Sequence, residues 1–232
     1  MENNIADFIK AEQTIHNQAR IIGALTKTYI SPIEDGSHTN MAWNEEHNRL
    51  ESRDFIGKND DKFFISYEPQ SFNFHIHNNL TPKTIETKQK PLADILSEFE
   101  TVFESFGFDK NEFKDAVEFR FPELFDEKQT LLTPKVEMFR EFEKIRTLAN
   151  HSLKTFLSDF NQTSEIRVWE HNFDTGIYCR YENDVEQFAG YATADKEASA
   201  VPYFYNSMVS RKQTIVPTNF PELSHGYWEI DG

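Results

Sequence analysis

Cysteine is almost missing from this chain: Cys179 is the one thiol in 232 residues. A single cysteine cannot close an internal disulfide, which excludes a disulfide-built secreted scaffold and fits a reducing compartment. Glycine is scarce as well, with eight residues in all. The sequence contains no Gly-x-Gly-x-x-Gly, phosphate loop, Gly-x-Ser-x-Gly, His-Glu-x-x-His or Cys-x-x-Cys. Glycine-cradled nucleotide and dinucleotide chemistry is therefore not expected. No apolar run approaches the ~20 residues that span a bilayer. The opening Met1-Glu2-Asn3-Asn4-Ile5 lacks the basic start and apolar block of a signal peptide. These absences predict a soluble, cytoplasmic protein without a membrane partner. Positive charge is also short, with 24 Lys and Arg against 39 Asp and Glu, a net charge of −15. Such a field repels phosphate backbones, and no Lys/Arg block with interleaved aromatics offsets it, so nucleic acid is not an expected partner.

What is present is aromatic and periodic. Ile5, Phe8, Ile9, Ile15, Ala19 and Ile22 recur at three- and four-residue steps and predict a helix over 4–25. A loop follows through Ser31-Pro32 and Glu34 to Ser37. Over 47–88 the pattern turns to strands. Phe63 to Tyr67 is a short aromatic and β-branched run, and Phe72, Phe74 and Ile76 alternate with Asn73, His75 and His77. Pro91 suits the first turn of a second helix carrying Leu92, Ile95, Leu96, Phe99, Val102, Phe103 and Phe106, with Gly107 as its stop. Residues 91–127 hold eleven acidic and three basic residues alongside eight phenylalanines. Acid and Phe at helical spacing mark a wet face and a core face rather than an acidic partner site. A short helix is expected from Asp109 to about Phe119. A long one is expected over 134–160, with a stripe running from Met138 through Phe142, Ile145, Leu148 and Leu153 to Phe160. The remainder reads as strands over 166–170, 177–181, 188–194 and 203–209, followed by an extended tail.

Grouped strands and grouped helices without βαβ alternation predict an α+β fold: mostly antiparallel sheet packed by three main helices. The expected organisation is a single domain over 1–210 with a tail, 211–232, packed on it. Both halves run helix then strands, and Glu46-His47-Asn48 recurs as Glu170-His171-Asn172, with Trp43 and Trp169 upstream. Two helix-plus-sheet halves would account for that echo.

Two sets of side chains suggest chemistry. His75 and His77, two apart on a strand, share a face and can reach one metal. His38 is the first choice for a further ligand, with His47, His171, Asp35 and Glu86 behind it. A divalent transition metal is the one cofactor this pattern admits. The alternative is that both imidazoles simply line the wet face of an amphipathic strand. The second set is Trp43, His47, Trp169, His171 and Asp174, aromatic rings beside His and carboxylate that can line a ligand cleft. Packed tryptophans with surface His and Asp would look the same. Cys179, in a strand beside Ile177, reads as a buried, inert thiol.

The run Ile15-His16-Asn17-Gln18-Ala19-Arg20-Ile21-Ile22-Gly23 resembles the opening of an uncharacterised bacterial family of unknown function. Its members open with a helix ending Gln-x-x-Gly, then a proline and a His-Trp-Trp segment. Ser31-Pro32-Ile33 with His38, Phe64 to Tyr67, Trp169 with Phe173-Asp174, and Gly190-Tyr191 with Tyr203-Phe204-Tyr205 are similar to its later segments. The chain departs where Thr39-Asn40 replaces the tryptophan pair and where Ala192-Thr193-Ala194 follows Gly190-Tyr191. The resemblance, over roughly 12–210, implies one compact domain and draws attention to His38, Trp169 and Asp174. It implies no activity. Three functions follow as expectations: a domain binding a small ligand or protein partner, a metal-dependent hydrolase using His75 and His77, or a structural and interaction protein.

Overall fold

The structure, a computed structural model, describes residues 2–58, 60–78, 82–113, 135–159, 163–181, 184–194 and 199–210. Helix α1 spans Glu2–Tyr29. It leads through a one-turn 3₁₀ helix at Ser37–Thr39 into strands β1 (Ala42–Asn44), β2 (Arg49–Glu51), β3 (Phe55–Ile56), β4 (Lys62–Glu68), β5 (Asn73–Asn78) and β6 (Lys83–Glu86). Helix α2 covers Leu92–Ser105, and α3 covers Val136–Asp159. The chain then lays down β7 (Arg167–Val168), β8 (Thr175–Arg180), β9 (Val185–Ala192) and β10 (Tyr203–Ser210). Every strand pairing is antiparallel, so the fold is α+β.

The N-terminal sheet runs β1-β2-β4-β5-β6, with β3 also on β4, and the C-terminal sheet runs β10-β9-β8-β7. Each is a meander preceded by a helix. The two join at one antiparallel bridge: Met41 N–H donates to Val168 O at 2.9 Å and Val168 N–H to Met41 O at 2.8 Å.

Alternation sets the faces of the first sheet. Phe63, Ile65, Tyr67, Phe74, Ile76 and Ile85 are buried, while His75 and His77 stay partly exposed. The buried face receives α2, whose Phe99 and Phe103 meet Phe74, Phe55 and Phe63 edge to face. Gly107, at φ +88°, ends that helix in the left-handed conformation that glycine adopts without Cβ strain.

Helix α1 reaches further than its apolar stripe predicts. From Gln18 to Thr26 every residue but Arg20 is buried, because α1 packs against both α3 and β4. Small side chains at Ala19, Gly23 and Ala24 allow that crowding. Helix α3 buries Met138, Phe139, Phe142, Ala149 and Leu153, but Leu148, expected on the same stripe, is exposed. The buried face is shifted toward position 146, where an arginine stands in the core. Strand β7 is only two residues long, because Trp169 to Asn172 turn away to form the site. Of the expected 109–119 helix, residues 110–113 are helical, and the rest of it and the 211–232 tail lie outside the described residues.

Candidate functional site

A large cleft, about 1130 Å³, lies between α1 and the face of the C-terminal sheet turned away from α3. Its helix wall is Gln13, His16, Asn17 and Arg20, which at steps of three and four form one stripe of α1. Its floor follows from register. Gly176, Gly190 and Tyr205 are directly opposite one another on β8, β9 and β10. Two adjacent missing side chains leave a trough across the strands, and the Tyr205 ring lies in it. A methyl on either glycine would sit 2.9 Å from the Tyr205 hydroxyl, and one on Gly190 would meet Thr175 O at 2.4 Å.

At the far end of that trough Tyr205 Oη donates to Asp174 Oδ2 at 2.6 Å. Burial and the neighbouring carboxylate raise the phenol well above its ordinary range, so it stays a proton donor. Asp174 is only 9% exposed, and its second oxygen, Oδ1, accepts no hydrogen bond among the described residues. A carboxylate lone pair therefore remains available inside the cleft.

The turn that delivers Asp174 is held from both ends. Trp169 N–H donates to Asp174 O at 2.9 Å, and Phe173 N–H donates to Trp169 O at 2.8 Å. Phe173 sits at φ +60°, a region where a bulky residue persists only under outside restraint. The restraint comes from Arg146, which has no exposed surface. One guanidinium nitrogen donates to Phe173 O and the other to Thr175 Oγ1, each at 2.7 Å. Both residues flanking Asp174 are thereby clamped. Arg146 lies 4.2 Å from the Phe173 ring centre and 5.1 Å from that of Tyr191, and its ion partner Glu12 is at 3.7 Å. Glu12 also accepts from Tyr191 Oη at 2.8 Å. Burial raises the Glu12 carboxyl and lowers Arg146, while each resists the other's loss of charge.

His16 completes the helix wall. Its ring stacks on Phe173 at 4.7 Å and 5°. Its Nε2 lies 2.8 Å from the carbonyl oxygen of Glu170. A carbonyl only accepts, so Nε2 carries the proton and Nδ1 keeps a lone pair. Burial lowers His16 to about 4, which leaves it neutral at physiological pH. Asp174 Oδ1 and His16 Nδ1 are thus acceptors in the same cleft, among the aromatic rings of Trp169, Tyr203 and Tyr205.

Of the five side chains expected to line a cleft, Trp169, His171 and Asp174 line this one. Trp43 is elsewhere: it is buried, donates from Nε1 to Thr147 Oγ1 at 3.1 Å, and meets Phe142 edge-on. His47 is exposed on the β1–β2 turn. The five do not converge because Trp43 lies within β1 of the first sheet while Trp169 opens the turn after β7 of the second, and the two face different surroundings.

His75 and His77 do share the outer face of β5, with ring centres 6.1 Å apart. His77 Nε2 is bound to Ser66 Oγ at 2.8 Å and its ring stacks on Phe64, while His75 bonds Thr84 and approaches Glu68 at 3.6 Å. His38 is buried within the 3₁₀ helix, where it accepts from Ile33 N–H at 3.3 Å. Among the described residues no group of three or more His, Cys, Asp or Glu side chains is arranged to hold a metal ion. Cys179 is buried and its thiol is pushed up by desolvation, away from nucleophilic character. No described helix is long and apolar enough to cross a membrane.

Comparison with protein-family profiles, curated proteins and solved structures finds no match to this chain. The fold defines an α+β protein of two bridged antiparallel meanders, and the chemistry of its cleft rests on its own residues.

Proposed function

We propose that this chain is a small-ligand-binding domain whose site is the cleft between α1 and the C-terminal sheet. The observation that carries this reading is the buried clamp of Arg146 on both neighbours of Asp174. A fully desolvated guanidinium is a costly way to hold a turn. It is repaid where a side chain needs a fixed position in a concave, water-accessible site. Trp169, at the same turn, gives the cleft its own reporter.

Thermal-shift screening against small polar metabolites tests the proposal. A binder is expected to raise the melting temperature and change Trp169 emission. Ala194→Trp, which fills the cleft, is expected to abolish both effects. If compounds stabilise the Ala194→Trp protein as well as the native one, the cleft is not the site. If none stabilises the native protein, small-ligand binding is overturned in favour of a protein partner.

A further inference from the structure

Building on the ligand-binding reading, we propose that the cleft selects an organic cation: a primary ammonium carried on a flat, apolar body. Three observations converge. Asp174 is nine-tenths buried, points into the cleft, and leaves Oδ1 without a partner among the described residues. His16, tied through Nε2 to a backbone carbonyl, presents a second acceptor rather than a donor. An ammonium has three donors and no acceptor, which matches two acceptors and opposes none. Trp169, Tyr203 and Tyr205 supply ring faces for the cation's charge and for the flat body behind it.

The charge in and behind the cleft points the same way. Among the described residues, Glu12, Glu170 and Asp174 stand against Arg20 and Arg146, three carboxylates to two guanidinium groups. The net charge of −15 adds a long-range field that concentrates cations. Among the described residues Arg20 is the one permanent cation on the cleft wall. It disfavours the proposed ligand, and that makes it a test with the opposite sign from Asp174.

The experiment uses the full chain and three isosteric probes: tyramine, tyrosol and 4-hydroxyphenylacetate, which differ only in a cationic, neutral or anionic tail. Binding is followed by amide NMR shifts and titration calorimetry. Tyramine is expected to shift signals of α1 and the 169–174 turn and to bind about tenfold or more tighter than the anion. Its affinity should fall as salt is added. Asp174→Asn, which keeps an acceptor for Tyr205, should weaken tyramine about tenfold, whereas Arg20→Gln should strengthen it. Native-like amide spectra of both variants separate loss of recognition from loss of fold. Preference for the anion or for tyrosol at the same signals, or an Asp174→Asn affinity equal to the native one, overturns the cation assignment and leaves the ligand-binding cleft standing. No shift at the cleft with any of the three probes overturns the cation assignment. Whether the cleft binds ligands at all is then decided by the separate Ala194→Trp screen.

Discussion

Arg146 occupies a position that the helical pattern reserves for an apolar side chain. Its nitrogens contact Phe173 O, Thr175 Oγ1 and Glu12, and three rings surround it. Removing one member of a buried ion pair leaves an uncompensated charge. Arg146→Met is therefore expected to lower unfolding free energy by about 3–5 kcal/mol in a denaturant titration. Adding Glu12→Gln to it should recover part of that loss. His16 makes a pH prediction. Its folded value, about 4, lies below the ordinary 6.5, so between those values the unfolded chain binds the extra proton. Stability must then fall as pH drops through about 6.5 toward 4. His77 is lowered to about 4 as well and contributes with the same sign. Denaturation midpoints at pH 7 and pH 5 should differ less in His16→Phe than in the native protein, and less again with His77→Phe added. None of these roles was legible beforehand for Arg146, since an arginine in a helical window reads as a surface residue. The stripe Gln13, His16, Asn17, Arg20 is legible as a polar row on a helix whose other faces are largely buried from Ala11 to Thr26. Only the burial of the opposite faces of α1 turns such a row into a wall.

At the scale of elements, the C-terminal sheet is a packed surface on one side and a receptacle on the other. Leu153 of α3 meets Ile177, Cys179 and Ala189 on the inner side, while the row Gly176–Gly190–Tyr205 opens the outer side. Gly190→Ala places a methyl 2.4 Å from a backbone oxygen of the neighbouring strand. The strands must part and Tyr205 must lift. A loss of about 1–3 kcal/mol is expected from thermal or chemical unfolding, with weaker ligand binding at temperatures where the variant remains folded. The sequence periodicities placed α1, α2, α3 and strands β4 and β5 close to where they lie, because those elements bury one clear face, whereas β1 falls before the expected strand region of 47–88. They overextended β7, since Ile166 to Glu170 alternates like a strand but only Arg167 and Val168 pair. The turn after it is held by Arg146, far away in sequence, and alternation carries no trace of that contact. Likewise Trp43 and Trp169, alike in their local sequence, part company because one sits in β1 and the other in the turn after β7.

Across the whole molecule, charge and connectivity set the behaviour. Fifteen excess negative charges on one chain repel one another. Moderate salt, up to about 0.15 M, should therefore raise the melting temperature as the repulsion is screened. A melting temperature that falls over this range would show that the surface ion pairs, such as Arg53 with Glu165 at 2.8 Å, outweigh it. The order of elements, helix then meander, occurs twice, and the two helices pack on each other.

The bridge between Met41 and Val168 gives this arrangement a clock. Both residues have no exposed surface, and each amide is locked to the other's carbonyl. Their protons can trade with deuterium only when the two halves separate or the whole chain unravels. If these two amides are as slow as those of Ile65 and Ile177, deep in either sheet, the halves rise and fall together as one cooperative unit. Faster exchange at the bridge alone would make the join the molecule's natural parting line, and α1, wedged across it, the element through which an occupied cleft slows that parting.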